Sequence, residues 1–347
     1  MDKLSFTSDY MEGAHPRILE RLMETNLLKT PGYGTDEYCE SAREKIRIAC
    51  SAPDAEVYFL SGGTQTNAMI VKNLLRPYQG VIAAETGHIA GHEAGAIEHG
   101  GHKVLCVPQL NGKLSADAVE TAAKHFYEDD NRDHIVMPGM VYISQPTESG
   151  TLYSLRELEE ISAVCRKYHL YLYADGARLA YALACEDNDV TLPDLARLCD
   201  VFYIGGTKCG ALLGEAVVIP KAELIPHFFT LMKQHGALLA KGRVLGIQFD
   251  TLFTDNLYLE VGRSAVSYAD AVRKKLQEKG LELCYGSPTN QLFVKLHDSA
   301  RQKLEEQVNV SFWEKPDDSH TVIRLATSWA TTGEDVQKLL HIIDSLF

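Results

Sequence analysis

The sequence predicts an α/β fold with a mostly parallel sheet, divided into a large lobe and a smaller C-terminal one. Short β-branched or aromatic runs alternate with helical segments, as crossover-connected parallel strands require. The chain has 347 residues, more than one ordinary domain needs. Its character changes after Gly242, where strand–helix alternation gives way to a long helical region. In order, strands are expected at 57–60, 81–84, 103–107, 141–144, 170–174, 201–204 and 215–219, each a nearly continuous apolar run. Helices are expected between them, among others at 64–75, 115–127 and 154–168. Ser154 followed by Glu157 has the spacing of a capping box, which marks the start of the last of these. Residues 243–279 read as helix broken near 254–256, and Gly280 is a plausible stop. Strands near 292–296, 310–313 and 322–326 then surround a helix at 299–307, and a helix at 333–346 ends the chain. The expected division is a large lobe over 1–250 with an N-terminal arm, and a small lobe over 251–347.

Composition narrows the function classes. With 45% hydrophobic and 23% charged residues the chain is ordinary globular protein, not disordered, collagenous or coiled-coil. The 34 basic and 47 acidic residues leave a formal charge of −13, which argues against a nucleic-acid partner. No run of about 18 apolar residues is present, so no membrane span is expected. The first six residues hold no apolar secretion core, and the eight cysteines lack any CxxC pair. Reduced thiols in a cytoplasmic enzyme are the expectation.

Asp175 and Lys208 are the most informative pair. Each follows an apolar strand, and in open α/β sheets ligands bind at carboxyl ends of strands. An acid and a lysine facing one crevice are what pyridoxal phosphate (PLP) needs. The lysine forms a Schiff base, and the aspartate keeps the pyridine nitrogen protonated so that the ring accepts electrons. Taken singly, Asp175 also reads as a helix cap and Lys208 as a surface lysine. Ser61-Gly62-Gly63-Thr64 lies between a strand and a helix, where free N–H groups can receive a phosphate. It has neither the P-loop Gly-Lys-Ser/Thr nor a dinucleotide spacing.

His88 and His92 are four residues apart, with His99 and His102 behind them. A metal hydrolase is thereby a competing reading, although Gly87, Gly91 and Gly95 make a poor helix and no HExxH is present. No resident metal is expected; His88 can instead lie against a planar cofactor. Arg178 follows Asp175 by three residues. Arg324 is a charge inside an apolar strand and needs a partner, either a substrate carboxylate or an internal acid. Trp313 reads as small-lobe packing.

At these residues the sequence resembles the threonine aldolase family of the aromatic β-eliminating lyase group, PLP enzymes of fold type I. The matching pieces are Thr7-Ser8-Asp9, Gly32-Tyr33-Gly34, Ser61-Gly62-Gly63-Thr64, Gly87-His88 with Glu93-Ala94-Gly95-Ala96, Asp175-Gly176-Ala177-Arg178, Thr207-Lys208 and Arg324-Leu325-Ala326-Thr327. The resemblance implies that Lys208 holds PLP, Asp175 pairs with the ring nitrogen and His88 stacks on the ring. It gives Arg178 to the ring hydroxyl and Gly63 with Thr64 to the phosphate. Ser8 and Arg324 would fix the substrate carboxylate. It further implies a homotetramer, a dimer of dimers with shared active sites, to which Tyr33 and Arg243 contribute from a neighbour.

The implied reaction is aldol cleavage of a β-hydroxy-α-amino acid of the threonine or allo-threonine class to glycine and an aldehyde. β-Elimination, dehydration and racemisation use the same anchors, and a non-catalytic binding protein on this fold is a further alternative. Two departures stand out. Lys208 is followed by Cys209-Gly210-Ala211-Leu212 rather than Gly-Leu-Gly-Ala-Pro. Gln145-Pro146-Thr147-Glu148 replaces Glu-Asn-Thr-His, so Glu148 stands where the family has a histidine. The base that takes the hydroxyl proton is then expected to be Glu148, His88 or a water they hold.

Overall fold

The computed structural model describes residues 3–347. Seven strands form the large sheet: β1 (Glu56–Leu60), β2 (Gln79–Ala84), β3 (Val104–Val107), β4 (Met137–Ser144), β5 (Tyr171–Asp175), β6 (Val201–Gly205) and β7 (Glu215–Ile219). All seven lie where the apolar runs predicted them. Their spatial order is β1-β7-β6-β5-β4-β2-β3. β7 runs antiparallel to both its neighbours, and the remaining pairs are parallel. The reason is the length of the link. Only residues 206–214 join β6 to β7, too few for a crossover helix, so the chain must turn straight back. The turn that carries Lys208 is that link.

Alternation along the strands sends side chains to two cores. Ile82, Val141, Ile143, Leu172, Phe202 and Ile204 fill one face of the sheet. Val81, Met140, Tyr142, Tyr173, Tyr203 and Val217 fill the other. Helices cover both faces, as a parallel sheet demands. The helix Leu155–Lys167 starts with the expected capping box, Ser154 and Glu157 each bonding the other's backbone N–H.

The small lobe is a four-stranded antiparallel sheet of β8 (Glu282–Cys284), β9 (Gln291–His297), β10 (Ser311–Glu314) and β11 (His320–Ala326), in the order β10-β11-β9-β8. Helices Asp298–Glu305 and Gly333–Leu346 complete it. The expected break falls between helix Arg243–Leu252 and the 22-residue helix Leu257–Glu278. That long helix serves both lobes. Leu257, Val261 and Ala265 pack in the large core, whereas Val272 and Leu276 pack in the small one. The N-terminal arm also belongs to both. Leu4–Ser5 pairs in parallel with Val308–Asn309, and Phe6 enters the small-lobe core. From there the arm runs into the cleft between the lobes.

Candidate active site

The chain passes from β2 outward to β3 and then back to β4, on the other side of β2. At such a reversal the connections leave a crevice beyond the strand ends. Gly63, Thr64, Asn67, His88, Ser144, Glu148, Asp175, Arg178 and Lys208 all line this crevice. Six of the residues singled out in the sequence for cofactor contact, together with Glu148, are thus brought to one place.

Asp175 ends β5, buried, with four donors on its carboxylate. Oδ2 accepts from the Tyr142 hydroxyl at 2.7 Å and from Asn67 Nδ2 at 3.1 Å. Oδ1 accepts from the Tyr203 hydroxyl and from the Ala177 N–H at 3.0 Å. Gly176 follows because nothing larger fits: a Cβ there would lie 2.0 Å from the Tyr203 carbonyl oxygen. Asn67 in turn accepts from Tyr173 and donates to Glu93, at 2.7 Å each. Glu93 receives Nδ1 of His88 at 2.8 Å. A carboxylate only accepts, so Nδ1 carries the proton and Nε2 is the free nitrogen. Burial opposes a charge on His88, but Glu93, Asp175 and Glu148 outweigh it and raise its pKa.

Glu148 lies beside His88. Its Oε1 accepts from the Ser144 hydroxyl at 2.7 Å and from the His88 N–H at 2.9 Å. Burial raises its pKa, aided by Asp175 and opposed by Ser144 and His88. Across the crevice, Lys208 holds its amine 5.7 Å from the centre of the Tyr10 ring. Its carbonyl accepts from Tyr181, which anchors the turn. Neighbouring Cys209 is fully buried and its thiol is pushed up to about 12, so it is no nucleophile near neutral pH.

Arg178 lines the crevice, but its guanidinium is committed to Asp9 through two bonds of 2.6 and 2.9 Å. Asp9 also accepts from Asn290 at 2.9 Å. One buried carboxylate therefore joins the arm, the large lobe and the small lobe. Breaking such a pair strands a charge, so Asp9→Ala should cost about 3–5 kcal/mol of stability. Denaturant unfolding of the cofactor-free protein checks this; a loss under about 1 kcal/mol would contradict it.

Arg324 projects from β11. It donates to the Thr7 carbonyl at 2.9 Å and to Gln291 Oε1 at 3.2 Å. Its Nε is buried without a partner, and no acidic side chain among the described residues pairs with it. The internal-acid alternative is thus not realised. Trp313 stands 5.8 Å from the guanidinium and 6.4 Å from the His92 ring, and it packs edge-on against Phe293. Ser8 is buried in the arm between Thr7 and Asp9.

Ser8 and Arg324 are not among the residues lining the crevice, and two further candidates lie away from it. The Arg243 guanidinium bonds the carbonyls of Thr25, Asn26 and Leu28 at 2.9–3.0 Å. Tyr33 is exposed, with Lys233 4.3 Å above its ring. Within one chain neither acts with Lys208. Sequence reading also missed Asp9, Asn67, Glu93, Tyr142 and Tyr203 as site residues. Asp9 and Glu93 lay inside quoted motifs, whereas Tyr142 and Tyr203 lie within apolar strands and read as core.

The donor set fits PLP. Lys208 would hold its aldehyde carbon, Asp175 would face the ring nitrogen and His88 one side of the ring. Helix Gly63–Leu74 begins at Gly62 with no side-chain cap, so its first N–H groups are left for the phosphate. A seven-stranded sheet with one reversed strand and a lysine on the reversing turn defines a fold type I PLP enzyme.

The chain belongs to the β-eliminating lyase family, whose model matches residues 5–309. It is 30% identical over 308 residues to the low specificity L-threonine aldolase of Pseudomonas sp. (strain NCIMB 10558), covering 87% of each chain. The enzyme of that name from Pseudomonas aeruginosa is 30% identical over 305 residues, 86% of each. Among solved structures, Leishmania major threonine aldolase superposes with a TM-score of 0.96 at 43% identity, covering 99% of both chains. An aspartate aminotransferase variant from Thermus thermophilus shares the fold at a TM-score of 0.75 and 17% identity, covering 100% of this chain and 92% of the other.

Proposed function

We propose that this chain is a PLP-dependent lyase that cleaves β-hydroxy-α-amino acids of the threonine class to glycine and an aldehyde. The observation that carries the reading is Arg324, half-buried against the Thr7 carbonyl of the arm, with a buried Nε that has no partner and no acidic side chain of its own among the described residues. A substrate α-carboxylate supplies what it lacks. When bound, PLP supplies an electron sink for the pair left on Cα. Arg324 and Ser8 hold the carboxylate and so fix which bond to Cα points across the ring. Glu148, or His88 through Nε2, takes the proton from the β-hydroxyl as the aldehyde departs. The similarity to two low specificity L-threonine aldolases supports cleavage over elimination. Incubation with threonine or allo-threonine should release glycine and acetaldehyde in equal amounts. Ammonia with 2-oxobutanoate would instead establish the dehydratase alternative.

Glu148 works as a base only when ionised. Because burial raises its pKa, the acid limb of the kcat–pH profile should lie above the ordinary carboxylate value of 4.5. Glu148→Gln should remove that limb and lower kcat about 10²-fold with PLP still bound. An unchanged profile would transfer the role to His88.

The assembly that accompanies this reading is a homotetramer with shared sites. Its support is that Tyr33 is exposed and that Arg243 is turned to the carbonyls of Thr25, Asn26 and Leu28, where Leu27 and Leu28 are themselves exposed. A cytoplasmic setting agrees with eight free cysteines.

A further inference from the structure

Glu215 is a buried carboxyl for which the reaction above has no use. It opens β7 and is 3% exposed. Oε1 accepts from the Thr207 hydroxyl at 2.8 Å and Oε2 from the Gly206 N–H at 3.1 Å. These are the two residues immediately before Lys208. The Thr207 oxygen also accepts from the Gly214 N–H at 3.0 Å, so both ends of the lysine turn are tied together through this side chain pair.

The charged groups facing Glu215 are few. Lys208 faces it from the turn and Asp175 from the end of β5. Tyr173, Tyr203 and Tyr258 surround it from β5, β6 and the helix Leu257–Glu278, and Cys209 from the turn; burial lifts all four well above their ordinary values, so they stay neutral. No lysine, arginine or histidine forms an ion pair with Glu215 among the described residues. Around Lys208 itself the other carboxylate in reach, Asp9, is already engaged by Arg178. Burial pushes Glu215 up to about 7, with Lys208, Thr207 and Gly206 pulling the other way.

We propose that Glu215 is a positioning residue for Lys208, fixing the turn that presents its nitrogen and setting the pH at which that nitrogen gives up its proton. A carboxylate nearby favours the protonated nitrogen, so removing it must make the proton leave at lower pH. The inference rests on Lys208 being the residue that holds PLP.

The test is a pH titration of the visible absorbance of PLP-loaded protein. Glu215→Gln keeps the shape and should move the midpoint down by about one unit. Glu215→Asp keeps the charge and should stay within about half a unit of the parent. A second arm uses protein without PLP. A carboxyl titrating near 7 when folded and near 4.5 when unfolded binds its proton more tightly in the folded state. Stability to denaturant should therefore fall as pH rises through that window, and Glu215→Gln should flatten the fall. Parent midpoints in both variants would overturn the proposal, as would an unfolding profile of the parent that does not fall across the window. If the parent takes up no PLP while its unfolding profile behaves as described, the assignment of Lys208 fails and the proposal with it.

Discussion

Asp175→Asn should lower kcat about 10³-fold, the loss expected when a preorganised charge at the reacting centre is removed. The carboxylate is held by Tyr142, Asn67, Tyr203 and the Ala177 N–H, so its position is fixed before any ligand arrives. A neutral amide in that cradle presents an NH₂ group to one pair of those donors, and its oxygen can no longer keep a pyridine nitrogen protonated. PLP would remain attached through Lys208, giving bound cofactor with little turnover. Steady-state kinetics on variant of matched PLP content reads the effect. A kcat within tenfold of the parent would remove Asp175 from the chemistry.

Arg324→Ala should reduce kcat/KM by about 10²–10³, with most of the change in KM. Truncating one partner of a buried, hydrogen-bonded charge pair costs roughly 2–5 kcal/mol, and tenfold corresponds to about 1.4. Arg324→Lys should recover only part of the loss, because an ammonium keeps the charge and loses the fork. The partnerless Nε is the reason to expect so large an effect. An equal fall in kcat with KM unchanged would mean that Arg324 supports the site without touching substrate.

Much of this fold is legible in the sequence because buried parallel strands leave an apolar signature and helix starts leave a polar one. The run at 215–219 coincides with β7, and Ser154 with Glu157 marks a real capping box. The reversed direction of β7 was not part of the sequence expectation; the nine-residue link to β6 imposes it. The strand β8, Glu-Leu-Cys, carries no pattern to find. Neither does Leu4–Ser5, whose partner lies some 300 residues away.

The site divides in the same way. Lys208, Asp175, His88 and Gly63 with Thr64 follow strands in motifs, so their meeting at strand ends follows from topology. The web beneath them does not. Tyr142, Tyr173 and Tyr203 look like core in any apolar run, and their hydroxyls acquire a role only once the register brings the strands together. That register pairs Tyr142 with Tyr173 and Ser144 with Asp175. Asp9 and Arg178 are 169 residues apart, and only the folded arm joins them. Arg243 likewise meets the carbonyls of Thr25, Asn26 and Leu28 across more than 200 residues, a meeting that no local pattern announces.

The central claim is that this crevice carries PLP on Lys208. Borohydride reduction of the PLP-loaded protein, followed by peptide mass mapping, tests it most directly. The account predicts loss of the yellow absorbance, one PLP fixed per chain on the peptide containing Lys208, and none fixed in Lys208→Ala. Stable labelling of a different lysine, or no yellow species in the parent protein, would contradict it.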